Sequence, residues 1–317
     1  MSFSRKVKEE LTKQTSSARH CQLAELAAIF SLSGRVRKVS ENRYCLEINT
    51  ENLTVAQKSY ILLRRLFQAS VEVVVRNHNL KKCAVSYHII VQEPDMVVAV
   101  LKAIKVMDDL GNVRVSLVSG QSGLVQNACC KRAFLRGVFL VSGSVTDPEK
   151  AYHLEIAVLS RRLAVQIQEM MLFFHLDAKI VERKKYQVVY IKEGSQIVDF
   201  LNVVEAHVAL MEFENIRIVK EVRNSVNRQV NCETANINKT VTAAKKQIDD
   251  INYIASNMGL NQLAKSLREI AELRLEYPER SLQELGQMLD PPIGKSGVNH
   301  RLRKLGDIAN QMRERRG

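Results

Sequence analysis

The 317-residue sequence lacks the segments that direct a chain into or across a membrane. No apolar run approaches the roughly 18 residues that a membrane span needs. The opening segment MSFSRKVKEEL carries charge but has no apolar core of a secretory signal. We therefore expect a cytoplasmic protein with no membrane partner.

Metal-binding patterns are also missing from the sequence. The histidines form no H-E-x-x-H pair, and the six cysteines form no C-x-x-C pair. Adjacent side chains such as Cys129 and Cys130 are poorly placed for a joint zinc site. We therefore expect free thiols, no metal site and no cofactor. The other cysteines are Cys21, Cys45, Cys83 and Cys232.

Positive charge is in clear excess. The sequence has 47 Lys and Arg against 34 Asp and Glu, a formal net charge of +13. Such a surplus favours a polyanionic partner, because cationic side chains release counterions from phosphates. A solvated basic face is the alternative, and charge alone does not name the partner. The length suits about two domains of roughly 100–200 residues each.

An apolar helix that ends in Ser-Gly occurs twice, at 24–36 and at 133–145, so that Gly34 and Gly143 are 109 residues apart. Each copy is followed by patterns typical of two strands, a helix, two strands and a helix. One αββαββα half would bury too little surface alone. We therefore predict one pseudo-symmetric α+β domain whose two apolar helices meet at the axis through their small terminal residues.

This duplication resembles the LAGLIDADG homing endonuclease fold. On its nine-letter motif the copies read LAAIFSLSG (26–34) and LRGVFLVSG (135–143). In the active endonucleases that this chain resembles, the eighth position is an acidic residue, and one from each helix holds the metals that cut DNA. Here Ser33 and Ser142 stand at that position. Neutral hydroxyls cannot hold Mg²⁺ between phosphates, so we predict no catalytic residue and a helix-packing role for both serines.

The sheets of such a fold form a saddle over DNA, and basic residues lie on the predicted strands and turns. They could contact phosphates, which position a protein without reading sequence. A solvated face is the alternative for any single one. These residues are Arg35, Arg37, Lys38, Arg43, Arg76, Lys81, Lys82, Lys179, Arg183, Lys184, Lys185 and Lys192.

The composition changes after Phe213. The Asn-rich stretch that follows predicts a loop or linker leading into a connecting helix. Farther on, SLQE (281–284) is a capping box, and a new helix is predicted to start at Gly294-Lys295 after a Pro-Pro stop. We thus expect a C-terminal all-α helix-turn-helix. The predicted ranges are 1–125 and 126–218 for the two halves, 219–250 for the linker and connecting helix, and 251–317 for the helix-turn-helix.

The final helix has the pattern of a recognition helix. Val298, Leu302 and Leu305 mark its apolar face. On the other face an Asn can bind adenine and a Lys guanine, while arginines suit phosphates. An interaction bundle without DNA is the alternative. The candidate DNA-binding residues are Lys295, Ser296, Asn299, His300, Arg301, Arg303 and Lys304.

Three strings carry a more specific resemblance: SFSRKVKEEL, RAFLRGVFLVSGSV…YHLEI and PPIGKSGVNHRLRKL. With them the whole chain resembles the WhiA family of bacterial proteins. The resemblance implies a degenerate LAGLIDADG domain joined to a helix-turn-helix similar to region 4 of sigma factors.

The function implied by that resemblance is a DNA-binding regulator associated with the nucleoid. It is linked to sporulation genes in actinobacteria, and to cell division and chromosome segregation in other Gram-positive bacteria. Double-stranded DNA is the expected partner, with RNA polymerase or other transcription and division proteins as further ones. A protein-interaction platform built on the LAGLIDADG-like domain is the alternative, and a metal-dependent endonuclease is disfavoured.

Overall fold

The computed structural model describes residues 2–40, 43–78, 84–108 and 123–315. The chain divides into two compact units, Met1–Lys220 and Glu221–Gly317. In these ranges no helix is both long and apolar enough to cross a bilayer.

The first half of the Met1–Lys220 unit has the predicted order of elements. Its strands form an antiparallel sheet in the order β1-β2-β4-β3. One sheet face is buried: Leu46 pairs with Val91 and Ile48 with Ile89, and all four are fully buried. The elements are α1 (Phe3–Lys13), α2 (Arg19–Ser33), β1 (Gly34–Ser40), β2 (Arg43–Thr50), α3 (Leu53–Phe67), β3 (Glu72–His78), β4 (Ala84–Val91) and α4 (Pro94–Ala103).

The second half repeats the order from α2 to α4, which confirms the predicted duplication. Its antiparallel sheet has the matching order β5-β6-β8-β7. Gly143 pairs with Ile156 just as Gly34 pairs with Ile48. The elements are α5 (Ala128–Ser142), β5 (Gly143–Val145), β6 (Leu154–Val158), α6 (Arg161–Phe173), β7 (Lys179–Arg183), β8 (Tyr186–Ile191) and α7 (Gly194–Val203), followed by the start of α8 (His207–Asn257).

Helices α2 and α5 pack along each other as a central spine, as predicted. The two helices come close together at Gly137, in the middle of α5. A Cβ atom there would lie 2.7 Å from the Glu25 carbonyl oxygen and 2.8 Å from the Ala28 Cβ. Only glycine therefore lets the two backbones come this close.

At the Ser-Gly ends of the spine helices, the atoms nearest to an added Cβ belong to the same helix. A Cβ on Gly34 would lie 2.3 Å from the ring of Phe30, four residues earlier in the same helix. A Cβ on Gly143 would lie 2.2 Å from the ring of Phe139 in the same way. These glycines make room for an aromatic ring where the chain leaves the helix and enters the sheet.

A buried ion network lies at the middle of the spine. Glu25 accepts hydrogen bonds from Arg136, at 3.2 Å from Nε and 3.3 Å from the second guanidinium nitrogen. Its carboxylate also lies 3.2 Å from the Lys58 ammonium, and Arg136 reaches Glu205 at 2.5 Å. Burial lowers the pKa of Lys58, and Glu25 opposes that shift. Glu25, Lys58 and Arg136 are buried and join three helices, whereas the Glu205 side chain is 38% exposed.

The Glu221–Gly317 unit is a helical bundle with its own core, formed around Ile254, Ile270, Leu285 and Leu302. It contains the remainder of α8, then α9 (Lys265–Glu276), α10 (Leu282–Gln287) and α11 (Lys295–Glu314).

The loop expected in the Asn-rich stretch is wrong, because α8 continues as helix through it. Side chains 221–243 are exposed throughout. A helix that is exposed all round buries no apolar face, so its sequence shows little periodicity.

Candidate nucleic-acid interface

The helix-turn-helix begins at a side-chain cap. The Ser281 hydroxyl accepts from the Glu284 amide at 3.3 Å, and the Glu284 carboxylate accepts from the Ser281 amide at 2.8 Å. The predicted capping box is thereby confirmed. The Ser281 amide and the Arg280 guanidinium, at 2.8 Å, hold the pKa of Glu284 at about 2.

The turn between α10 and α11 depends on Gly286. The Ile293 amide donates to the Gly286 carbonyl at 2.9 Å. A Cβ on Gly286 would lie 2.2 Å from the Ile293 carbonyl oxygen and 3.1 Å from the Val298 side chain. Gly286 was not among the predicted functional residues, although a glycine inside a short apolar helix is itself a sign of close packing.

One face of α11 is fixed against the bundle. Val298, Leu302 and Leu305 are buried, as predicted, together with Ala309. Because these side chains are packed in the core, α11 cannot rotate about its axis, and the opposite face points to solvent. Six of the seven candidate DNA-binding residues are exposed there: Lys295, Ser296, Asn299, His300, Arg303 and Lys304.

Arg301 is the candidate that the structure places differently. It is half-buried, and its guanidinium donates to the Ser266 carbonyl at 3.3 Å. Its position therefore ties α11 back to the bundle beside α9. A free phosphate contact was predicted from its charge alone, and charge does not show which way a side chain is turned.

The exposed face of α11 is polar, and three of its six candidate residues are Lys or Arg. At 3.6 residues per turn, Ser296, His300 and Arg303 share one stripe, with Asn299 beside it. From Ser296 to Arg303 the stripe is about 10 Å long at 1.5 Å per residue. Asp307, one turn later, is also exposed and adds a negative charge. The N-terminal half of the helix is therefore the better surface for a polyanion.

The two degenerate motif positions are engaged inside their own helices. The Ser33 hydroxyl donates to the Ile29 carbonyl at 2.8 Å, and the Ser142 hydroxyl donates to the Val138 carbonyl at 3.1 Å. Neither side chain supplies the charged oxygen that Mg²⁺ requires. The residues at these positions do not fit the metals of the active endonucleases.

Equivalent carboxylates on the two sheets are each held by basic partners. Glu47 lies 2.7 Å from His88 Nδ1 and 3.2 Å from Arg37. The hydrogen bond with His88 is the largest cause of the lowered pKa of Glu47. Glu155 contacts Arg183 at 3.1 Å and His153 at 3.2 Å. Each acid is paired within its own half.

The predicted basic saddle is thus partly neutralised, since two of its arginines are in those pairs. Lys81 and Lys82 lie outside the described residues, and the other ten predicted saddle residues are all exposed.

The spine helices bring together two pairs of neighbouring side chains that are 109 residues apart in sequence. One ligand-type atom from each of His20, Cys21, Cys129 and Cys130 lies within 4.8 Å of the others. Burial is the largest cause that raises the pKa of Cys130, to about 12, and the pKa of Cys21 is also raised. The sequence offered one indication of this group: 109 residues separate His20 from Cys129 and Cys21 from Cys130, the same spacing as between Gly34 and Gly143 in the two copies. Cys83 lies outside the described residues.

Comparisons with known proteins agree on one family. Three family models match: the WhiA N-terminal LAGLIDADG-like domain over residues 19–107, the WhiA LAGLIDADG-like domain over 131–223 and the WhiA C-terminal HTH domain over 226–309.

Similar proteins extend over essentially the whole chain. A relative from Lachnoclostridium phytofermentans, named "Probable cell division protein WhiA", is 53% identical over 99% of this chain and 100% of its own. One of the same name from Alkaliphilus metalliredigens is 46% identical over 99% of both. The crystal structure of full-length DUF199/WhiA from Thermatoga maritima matches with a TM-score of 0.60 and 27% identity, covering 98% of this chain and 99% of that one. The chain therefore belongs to the WhiA family, with paired LAGLIDADG-like halves and a C-terminal helix-turn-helix domain.

Proposed function

We propose that this protein is a non-catalytic DNA-binding regulator that acts in cell division and binds duplex DNA through α11. The observation that carries the proposal is the exposed polar and basic face of α11, behind which Val298, Leu302 and Leu305 are locked into the bundle. A helix held in this way presents a fixed row of donors and cations, which a recognition helix needs in the major groove.

The residues on that face divide by chemistry. Lys295 and Asn299 lie in the first turns of α11, where recognition helices contact base edges, and both side chains are exposed. Arg303 and Lys304 lie farther along and suit phosphates. Arg301 supports the helix through its bond to the Ser266 carbonyl.

The two serines at the ends of the spine helices explain why we expect no DNA cleavage. The hydroxyls of Ser33 and Ser142 donate to carbonyls of their own helices and bring no charge to the place where an endonuclease would hold its metals. A regulatory role then rests on binding alone. The name of the relatives supports a role in cell division. A role in sporulation or chromosome segregation is the broader proposal. Binding at promoters would bring RNA polymerase as a further partner and would place the protein on the nucleoid.

The salt dependence of DNA binding tests the phosphate contacts. We expect Arg303→Gln to weaken binding to all duplexes and to reduce the slope of log K against log salt by about 0.9, the value for one phosphate contact. Arg162→Gln is the matched control, because Arg162 is exposed on α6 and lies outside the matched C-terminal HTH domain. Equal slopes for wild type and both variants would reject Arg303 as a phosphate contact.

Base readout is tested separately. Asn299→Ala should relax the preferred sequence, with a loss of about 1–3 kcal/mol of discrimination at one base position. The measurement is selection from a randomised duplex library. A binding preference identical to that of wild type would remove Asn299 from the set of reading residues.

The absence of catalysis has its own assay. Supercoiled plasmid incubated with the full chain and Mg²⁺ or Mn²⁺ should remain supercoiled. Nicking that disappears on addition of chelator would contradict the proposal.

A further inference from the structure

The first turns of the two spine helices form a compact group of soft ligands. His20 Nδ1 lies 3.1 Å from Cys130 Sγ and 3.3 Å from Cys21 Sγ. With Cys129 Sγ included, all four ligand atoms lie within 4.8 Å of one another. Zinc bonds of about 2.3 Å to sulfur and about 2.0–2.1 Å to nitrogen place tetrahedral ligand atoms about 3.5–3.8 Å apart. Only small side-chain movements separate this group from a coordination shell.

The duplication explains how the group forms. His20 and Cys21 hold the second and third positions of α2, and Cys129 and Cys130 hold the same positions of α5. The two pairs are therefore equivalent under the pseudo-twofold relation and meet where the spine helices lie side by side. Each half supplies one exposed ligand, His20 or Cys129, and one buried thiol, Cys21 or Cys130.

The surroundings suit a cation bound by thiolates. Cys21 and Cys130 pack with Ala24 and Ala133 in a small cluster of buried side chains apart from the main core. Both buried thiols lie in the first turns of α2 and α5. His20 and Cys129 face solvent, which gives an ion a way in.

Contrary to the expectation from the adjacency of Cys129 and Cys130, we propose that His20, Cys21, Cys129 and Cys130 bind one zinc ion that cross-links the two LAGLIDADG-like halves. Three thiolates and one imidazole make a closed tetrahedral shell, the arrangement of structural zinc sites, with no open position for a reacting water. The site lies at the opposite end of the spine helices from Ser33 and Ser142, about 20 Å away at 1.5 Å per residue. It is therefore a structural centre, unrelated to the metals of an endonuclease.

Zinc binding is tested on the reduced, full-length chain after metal is removed with a chelator. Titration with zinc against a chromophoric competitor should reach one ion per chain. Cobalt should give thiolate charge-transfer absorption and the intense visible bands of a tetrahedral site. A zinc content near zero at saturation, or an octahedral cobalt spectrum, would overturn the proposal.

Alkylation gives a second test within one molecule. Cys129 and Cys232 are both exposed thiols, and only Cys129 belongs to the group. Zinc should protect Cys129 from iodoacetamide while Cys232 reacts at the same rate with and without the ion, as read by peptide mass spectrometry. Equal labelling of Cys129 in both conditions would contradict the site.

Variants at the exposed ligands identify the shell. His20→Ala and Cys129→Ser should weaken zinc binding at least about tenfold, the lower range for loss of an outer-shell partner. Cys232→Ser is the matched control and should bind as wild type does. Because His20 and Cys129 lie at the surface, we expect these variants to fold, and far-ultraviolet circular dichroism checks this. Zinc bound equally by all three variants would place it elsewhere.

Discussion

Neutralising Glu25 removes the anion from the middle of the spine. Its carboxylate is fully buried and lies 3.2 Å from Lys58 and from Arg136, whose side chains are also buried. Glu25→Gln keeps the shape of the side chain and leaves two cations without their common partner. We expect the Met1–Lys220 unit to be strongly destabilised.

The magnitude follows from the distances. Two charges about 3.2 Å apart interact by about 5 kcal/mol at an effective dielectric constant of 20. Three effects reduce the net loss: the glutamine needs less desolvation, Arg136 keeps its contact with Glu205, and Lys58 can release its proton because burial already lowers its pKa. Breaking a buried pair typically costs about 3–5 kcal/mol. A unit of this size melts about 2–4 °C lower per kcal/mol, so we expect a decrease of about 6–20 °C.

Calorimetry of the full chain measures this, because each unit has its own core and can give its own transition. Only the transition of the Met1–Lys220 unit should move. Glu9→Gln is the matched control: Glu9 pairs with Arg5 at 2.9 Å in α1, but the side chains are 37% and 67% exposed. Exposed pairs of this kind contribute about 0.3–0.5 kcal/mol. Equal melting temperatures for Glu25→Gln and Glu9→Gln would refute the reasoning.

Three further predictions concern glycine and capping positions. Gly137→Ala places a methyl group against the Glu25 carbonyl, so overpacking should outweigh the gain in helix propensity and destabilise the spine by about 1–2 kcal/mol in denaturant unfolding. Gly286→Ala strikes the Ile293 carbonyl and should both destabilise the C-terminal unit and abolish DNA binding; unchanged affinity in a titration would contradict it. The lowered pKa of Glu284 stabilises the folded unit above pH 4.5, and this contribution is lost as pH falls through about 2. Glu284→Gln should therefore flatten the acid limb of a plot of stability against pH.

Most of the fold could be predicted from local sequence patterns. The repeated apolar helices, the alternation of the strands and the capping box at Ser281 act between residues close in sequence, and each appeared where it was predicted. The buried face of α11 was predictable for the same reason. The long helix α8 was not, because a helix exposed all round leaves no periodic mark.

The sequence by itself determined the duplicated architecture, the helix-turn-helix and the family. The hydrophobic periodicity, the helix caps and the motifs of the family each involve residues that are close together in sequence. The tertiary structure alone decided that Gly137 brings the spine helices together, that Glu25 is shared by Lys58 and Arg136, and that Arg301 turns back to α9. It also placed Cys21 beside Cys130. Such contacts join atoms from distant parts of the chain, and their distances are set by how the helices pack.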